Sequence, residues 1–429
     1  MCDDFVRGDM MSQDQPTILL AGHASIDIYP DLSSITNQFS SFQPGALINV
    51  KTVRFSVGGA VLNTGIALHR LGLGVRLGVR IGTDPYGVIL RDLIGQQLSQ
   101  LPGSFGPASE CEFIECEEST SSVIVLNPMN TDRMFLYCPG TNREFDVCDV
   151  QGLSLNGIQL FHFGYPSLLE RMYLDEGRSL RKLFKELRDK GIIISLDLSL
   201  PDLNSPAGTV NWSRFLERVL PEVDIFMPSI EEIMYMMHRM RYEEIKACSK
   251  SFIETVTEED LEIISKSILE LGVSIVGIKL GSAGLYVRTS KLNKDDRDPS
   301  LLPQWWTNKG ELNWSNRELL APCFQVNTLG TTGAGDSTIA GFLLGMIQNI
   351  SIEETMKLAV GVGACCVEKL DSISGIPHWK KVTQRIQNGW DSISTTLELP
   401  EWVTYERLYY SPRDRMNVNS HVMYGDCSL

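Results

Sequence analysis

One stretch of the chain concentrates residues suited to chemistry. Residues 329–345 read LGTTGAGDSTIAGFLLG, with Gly330, Gly333 and Gly335 close together and Asp336 directly after them. The run that follows predicts a helix over residues 337–346. A glycine turn that opens a helix presents unpaired N–H groups at the positive end of the helix dipole, where an anion binds. A carboxylate beside a bound phosphate is repelled by it, so its presence implies a task, and the simplest is taking a proton from the group that meets the phosphate. The N–H groups of Gly333, Ala334 and Gly335 would face the charge that grows on a transferred group. Phosphoryl transfer needs little beyond such positioning and charge stabilisation. A merely structural Asp336, capping a tight strand–helix connection, leaves the flanking glycines without a purpose.

Two common nucleotide motifs are excluded. A phosphate loop of the GxxxxGK[ST] type needs a lysine that does not follow Gly335. A dinucleotide fingerprint belongs after the first strand, whereas these glycines lie about three-quarters along the chain, and the spacing gives Thr338 where a third glycine is required. An HRD-type kinase loop is also missing from the sequence.

Other polar residues sit where an α/β fold would expose them. Asp27 follows the apolar run TILLAG at residues 17–22, and the carboxyl ends of parallel strands face the ligand crevice; a turn or capping aspartate is the plainer reading. Gly58 and Gly59 precede a helical pattern with Asn63 one turn in. That places an amide, both donor and acceptor, beside an open backbone edge that suits a hydroxylated ligand; a tight turn with a polar helix residue is the alternative.

The elements that position these residues alternate. Strands are expected near residues 17–22, 75–81, 159–163, 192–196, 224–227, 274–280 and 285–288, with helices near 60–71, 87–98, 173–190, 212–220, 230–240, 258–271, 337–346 and 352–370. Repeated strand–helix units imply a mainly parallel sheet covered on both faces. The alternating segments at 50–55, 122–126 and 133–137 suit a small sheet with one wet face, a natural lid formed by about 29–57 and 110–137. Residues 1–15 are expected to be a disordered extension, and residues 291–320, polar but holding Trp305, Trp306 and Trp314, an insertion. Residues 382–429 are expected to be a C-terminal extension, and its part from residue 391 follows no placeable pattern yet carries five Trp and Tyr residues that would resist a floppy tail. Small residues in the last two helices predict that they approach closely.

The chain has 429 residues, 43% of them hydrophobic, with 38 basic against 53 acidic residues and a net charge of −15. The acidic excess argues against a nucleic-acid or anionic-membrane binder, but leaves room for an anionic small ligand that answers to a local field. The ten cysteines are scattered without a CxxC pair, and no apolar run reaches membrane-spanning length. Free thiols in a reducing cytoplasm are the expectation.

The whole arrangement resembles the PfkB (ribokinase-like) carbohydrate kinase family, with matches from about Thr17 to Lys381. GTTGAGD at residues 330–336 is similar to the family's DTTGAGD in all but its first residue. The resemblance implies a three-layer α/β/α fold with a small β-sheet lid, ATP and Mg²⁺ as cofactors, Asp336 as catalytic base and Gly333–Gly335 as anion hole. It also implies sugar contacts at Asp27, Gly58, Gly59, Asn63 and Asn142, the last in a Gly140-Thr141-Asn142 that resembles the family's GAN. Gly82, Asp84 and Gly87 resemble a family GxDxxG stretch. Nucleotide contacts are implied at Lys279, Gly281, Gly284 and Thr332. Glu232 stands where the family's NxxE glutamate acts near magnesium, through water, although Ser229 replaces the asparagine. Gly330 replaces an aspartate that helps form the family's monovalent-cation site, so the resemblance leaves potassium activation an open question. The family's DPNxR appears as residues 197–201 without the arginine. The implied function is phosphorylation of a hydroxyl of a sugar or sugar-like molecule, with a possible homodimer through the lid and no nucleic-acid or membrane partner. A nucleoside acceptor, or a sugar- or nucleotide-binding regulator without catalysis, fits the same motifs.

Overall fold

The computed structural model describes residues 17–32, 43–99, 109–127, 134–248, 250–292, 297–307 and 313–414. The expected extension at residues 1–15 lies outside them. The chain opens with β1 (Ile18–Gly22), β2 (Ser25–Pro30), β3 (Val53–Gly58), α1 (Ala60–Leu71), β4 (Val75–Gly82), α2 (Pro85–Ser99), β5 (Glu110–Cys116), β6 (Ser122–Leu126) and β7 (Met134–Cys138). The middle holds α3 (Thr141–Glu144), α4 (Val147–Gln151), β8 (Leu160–Gly164), α5 (Glu170–Tyr173), α6 (Arg178–Arg188), β9 (Ile193–Asp197), α7 (Trp212–Val219), β10 (Ile225–Phe226), α8 (Ile230–Met237), α9 (Arg239–Lys246), α10 (Phe252–Thr255), α11 (Glu258–Glu270), β11 (Ile275–Lys279) and β12 (Leu285–Thr289). Then come α12 (Gln304–Thr307), β13 (Glu318–Ala321), α13 (Ala334–Ile347), α14 (Ile352–Val367), α15 (Trp379–Gln387), β14 (Val403–Tyr405) and β15 (Leu408–Tyr410).

The large sheet has eleven strands in the order β14-β15-β13-β12-β11-β10-β9-β8-β1-β4-β5. From β11 to β5 every pairing is parallel, and the four strands beyond β11 continue it antiparallel. Strand period explains the three layers. On β1, Ile18 and Leu20 face the core that contains α1, α13 and α14. Leu19 and Ala21 face the opposite core, with α6, α7, α8 and α11. Burial on both faces is why these strands read as continuous apolar runs. A second sheet, in the order β3-β2-β6-β7, stands beside the first.

Several sequence expectations shift. β5 was grouped with the lid, but it pairs parallel with β4 at the edge of the large sheet. Its acidic side chains meet arginines there: Arg76 pairs with Glu110 and Glu112, and Arg91 with Glu115. The helix expected over residues 173–190 is two, α5 and α6, divided where Gly177 turns left-handed at φ 79°. The helix expected over 230–240 is broken at His238, whose φ and ψ leave the helical region. The region read as an insertion supplies β13 and buries Trp305, Trp306 and Trp314 in the core. The C-terminal region supplies β14 and β15, and Phe324 stacks on its Trp390 at 4.6 Å. The close approach of α13 and α14 holds: a Cβ on Gly341 would come within 2.8 Å of the Ala359 backbone.

Candidate active site

The parallel strands end together. Gly22, Gly164 and Asp197 are in register at the carboxyl ends of β1, β8 and β9, and Lys279 closes β11. Beyond these ends, β1 leads through His23 into β2 with Asp27, β8 leads into Tyr165, and β10 leads through Ser229 into α8 with Glu232. The crevice at this edge is where an α/β sheet binds ligands.

Asp336 is buried in the first turn of α13. Gly333 starts this helix in the left-handed conformation, φ 75°, and a Cβ there would also strike Ser372. Glycine is therefore required by both backbone and packing. The first turn leaves the N–H groups of Gly335 and Asp336 without helical acceptors. Ala334, expected among the open donors, instead gives its N–H to Thr331 O at 3.3 Å. Thr332 turns its carbonyl toward the Cys366 thiol.

The structure brings Asn63 to Asp336 across 273 residues of sequence: Asn63 Nδ2 donates to Asp336 Oδ2 at 2.9 Å. Ser372 Oγ donates to Asn63 Oδ1 at 2.7 Å and fixes the amide orientation. The other carboxylate oxygen accepts from Tyr165 Oη at 2.8 Å. Tyr165 and Ser372 escaped the sequence reading; a tyrosine after a strand-ending glycine, or one serine in a loop, carries no local signal of such a contact.

Lys279 passes beside Gly335, whose added Cβ would sit 3.6 Å from Nζ. Its ammonium pairs with Asp197 Oδ1 at 2.6 Å. Asp197 lies within the family's DPNxR position but was not assigned a role. Glu232 sits close enough to feel the same ammonium, yet its Oε2 accepts the Ser229 N–H at 2.6 Å while Ser229 Oγ caps Glu232 N. This reciprocal capping box explains serine at that position. One buried cation thus faces three carboxylates. Burial raises the pKa of Asp336, Glu232 and Asp197, the last to about 8, against the pull of Lys279. Burial opposes the charge of Lys279, but the three acids outweigh it and hold the ammonium protonated.

A magnesium ion fits this chemistry. Asp197 Oδ2 is buried without a hydrogen-bond partner, and Mg²⁺ favours one or two carboxylates together with nucleotide phosphates. Among the described residues no three His, Cys, Asp or Glu groups could hold a metal by themselves.

Asp27 is buried on β2 and accepts from Ser25 Oγ at 3.0 Å and Tyr29 Oη at 3.3 Å. A Cβ on Gly58 would lie 2.0 Å from Asp27 Oδ1, so the carboxylate needs that glycine. Gly59 packs under His23. Asn142, expected to face the sugar, is occupied by protein: Nδ2 donates to Ala24 O, Ser121 Oγ and Tyr137 Oη, and Oδ1 accepts from Ala24 N. Asp84 likewise ties Gly87 N and Thr120. At the other end, Gly281 turns left-handed into open space, while Gly284 packs on the Ala321 carbonyl. Gly330 lies against the Lys369 and Leu370 carbonyls, with an added Cβ at 3.0 and 2.9 Å, which leaves no room for an aspartate.

A glycine-opened helix with an acid in its first turn, set at the carboxyl edge of a three-layer sheet beside a small lid sheet, defines a class of phosphoryl-transfer fold. Residues 118–379 match the description "pfkB family carbohydrate kinase", and the chain belongs to that family. An uncharacterised sugar kinase of Archaeoglobus fulgidus is 24% identical over 73% of this chain and 99% of its own length. A nucleoside kinase of Methanothermobacter thermautotrophicus is 24% identical over 89% of this chain and 98% of its own. Among solved structures, a fructokinase of Xylella fastidiosa with bound ATP superposes with a TM-score of 0.62 at 19% identity, covering 87% of this chain and 98% of the other. No helix among the described residues is long and apolar enough to cross a membrane.

Proposed function

We propose that the protein transfers the γ-phosphoryl group of ATP to a hydroxyl of a sugar or sugar-like molecule, with Asp336 as the base. The observation that carries this reading is the conjunction at α13: a left-handed Gly333 opens the helix, its first turn forms the positive end of the helix dipole, and a buried carboxylate lies in that same turn. The acceptor hydroxyl gives its proton to Asp336 as its oxygen attacks phosphorus, while the helix N-terminus meets the charge on the transferred group. Lys279, beside Gly335, adds positive charge on the nucleotide side, next to Gly281, Gly284 and Thr332. Asp197 and Glu232 would hold Mg²⁺, Glu232 through water, and the ion would neutralise charge on the nucleotide phosphates.

Asp27, with Gly58, Gly59 and Asn63 around it, receives the acceptor's other hydroxyls. The two acids Asp27 and Asp336 make this end of the crevice suit an uncharged acceptor, and Asn142 shapes it by holding Ala24 and Tyr137. A nucleoside acceptor is the second reading, favoured by His23, Tyr29, Tyr137 and Tyr165 on that side and by the nucleoside kinase among the relatives. The small sheet formed by β2, β3, β6 and β7 serves as the lid. Its row Phe55, Ile124 and Leu136 is in register across β2 and largely exposed, which suits a second copy of the chain. Coupled ADP release over sugars, polyols and nucleosides tests the activity. Ligand binding with no turnover on any acceptor would leave a binding regulator instead.

A further inference from the structure

We propose that Tyr165 is a positioning residue for phosphoryl transfer, holding the carboxylate of Asp336 in its working orientation; the inference rests on Asp336 being the base. Three observations carry it. First, Tyr165 takes up φ 61° and ψ 52° at the end of β8. A bulky residue in the left-handed region is a strained outlier that persists only where its surroundings enforce it, and such residues gather at functional sites.

Second, its hydroxyl reaches Asp336 Oδ1 at 2.8 Å while Asn63 holds Oδ2 at 2.9 Å. Asn63 is itself held by Ser372. A carboxylate clamped on both oxygens cannot rotate, and each oxygen keeps a lone pair for the acceptor's proton.

Third, the ring is braced. His23 lies 5.7 Å from it, centroid to centroid, and Tyr137 in turn packs on His23 at 5.6 Å. Both His23 ring nitrogens are buried without hydrogen bonds, and burial lowers its pKa to about 3. His23 is therefore a neutral wall for Tyr165, not a competing acid or base.

The hydroxyl also bears on protonation. The charged groups around Asp336 are Lys279 on β11, Asp197 on β9, Glu232 on α8 and Asp27 on β2, with the Cys366 thiol of α14 nearby. Burial raises Asp336, and Lys279, Tyr165 and Asn63 oppose it. Deleting the Tyr165 hydroxyl removes a donor to the ionised form, so Asp336 would lose its proton only at higher pH.

The test is the pH profile of kcat for Tyr165→Phe, which keeps the ring against His23. The acid limb is expected to move to higher pH, with kcat below that limb reduced roughly tenfold, the alkaline plateau closer to wild type, and KM for ATP unchanged. Tyr165→Asn, at ease in left-handed backbone, should move the limb the same way, and melting curves report whether either variant is folded. A limb that coincides with wild type in folded variants would overturn the proposal. So would a loss that is equal at every pH with a raised acceptor KM, because Tyr165 would then be touching the acceptor. Asp336→Asn, assayed alongside, separates the two ideas: if it is inactive while Tyr165→Phe is unaltered, only the role of Tyr165 fails.

Discussion

Asp27→Asn should make the protein more stable and a poorer enzyme, with a pH signature. Burial pushes the Asp27 carboxyl from 3.8 up to about 7; hydrogen bonds from Ser25 and Tyr29 oppose this, and the Asp336 charge adds to it. The folded state thus holds the proton more tightly than the unfolded chain. Its contribution is most favourable below the unfolded value near 4 and is lost as pH rises through about 7. At about 1.4 kcal/mol per pH unit, the ionised folded state is disfavoured by about 4 kcal/mol above pH 7. Asparagine carries no charge to desolvate. It can still accept from Ser25 but gives up the longer Tyr29 bond, a loss of about 1 kcal/mol. The net gain is about 3 kcal/mol at pH 8, falls below about 1 kcal/mol at pH 5 and becomes a loss of up to about 1 kcal/mol at pH 4 and below. Urea denaturation at pH 5 and pH 8 measures the difference, and acceptor KM measured on the same samples should rise while KM for ATP holds. A gain that is equal at both pH values, or a loss larger at pH 8, would refute the reasoning.

Three further outcomes are expected. Asp336→Asn should lower kcat by roughly 10²- to 10⁴-fold while calorimetry still detects nucleotide binding; near-wild-type turnover would remove the base assignment. Arg317→Leu strands the buried Asp414 carboxylate and the half-buried Glu353 carboxylate, which now sit 3.1 and 2.7 Å from the guanidinium. It should cost about 3–5 kcal/mol in denaturant titration, and a cost under about 1 kcal/mol would mean that the C-terminal region is not pinned there. Phe55→Glu combined with Leu136→Glu should yield monomers by light scattering if copies pair through the lid, and an unchanged mass would exclude that surface.

The legible parts of this protein were those set by neighbours in sequence. The glycines and acid of residues 330–336 impose their own backbone: glycine takes the left-handed turn at Gly333 without strain, and the helix dipole follows from the residues after it. The alternation of apolar runs with amphipathic helices declared a parallel sheet because burial on both faces leaves no other pattern. Gly58 was visible as a motif residue before its reason, the Asp27 carboxylate against it, could be seen.

What only tertiary structure decided is which distant groups meet and what each is left free to do. Asp336 finds Asn63 and Tyr165 only when α1, β8 and α13 converge, and Lys279 finds Asp197 only because β9 and β11 end at one edge. Asn142 and Glu232 matched motifs, yet their hydrogen bonds are shared with Ala24 and Ser229, which no spacing discloses. β5, β14 and β15 are short or acidic and find their places through partners far away in sequence. Local conformation is governed by torsional sterics and the helix dipole, which act within a few residues. Pairing, burial and pKa depend on the summed packing of the whole chain.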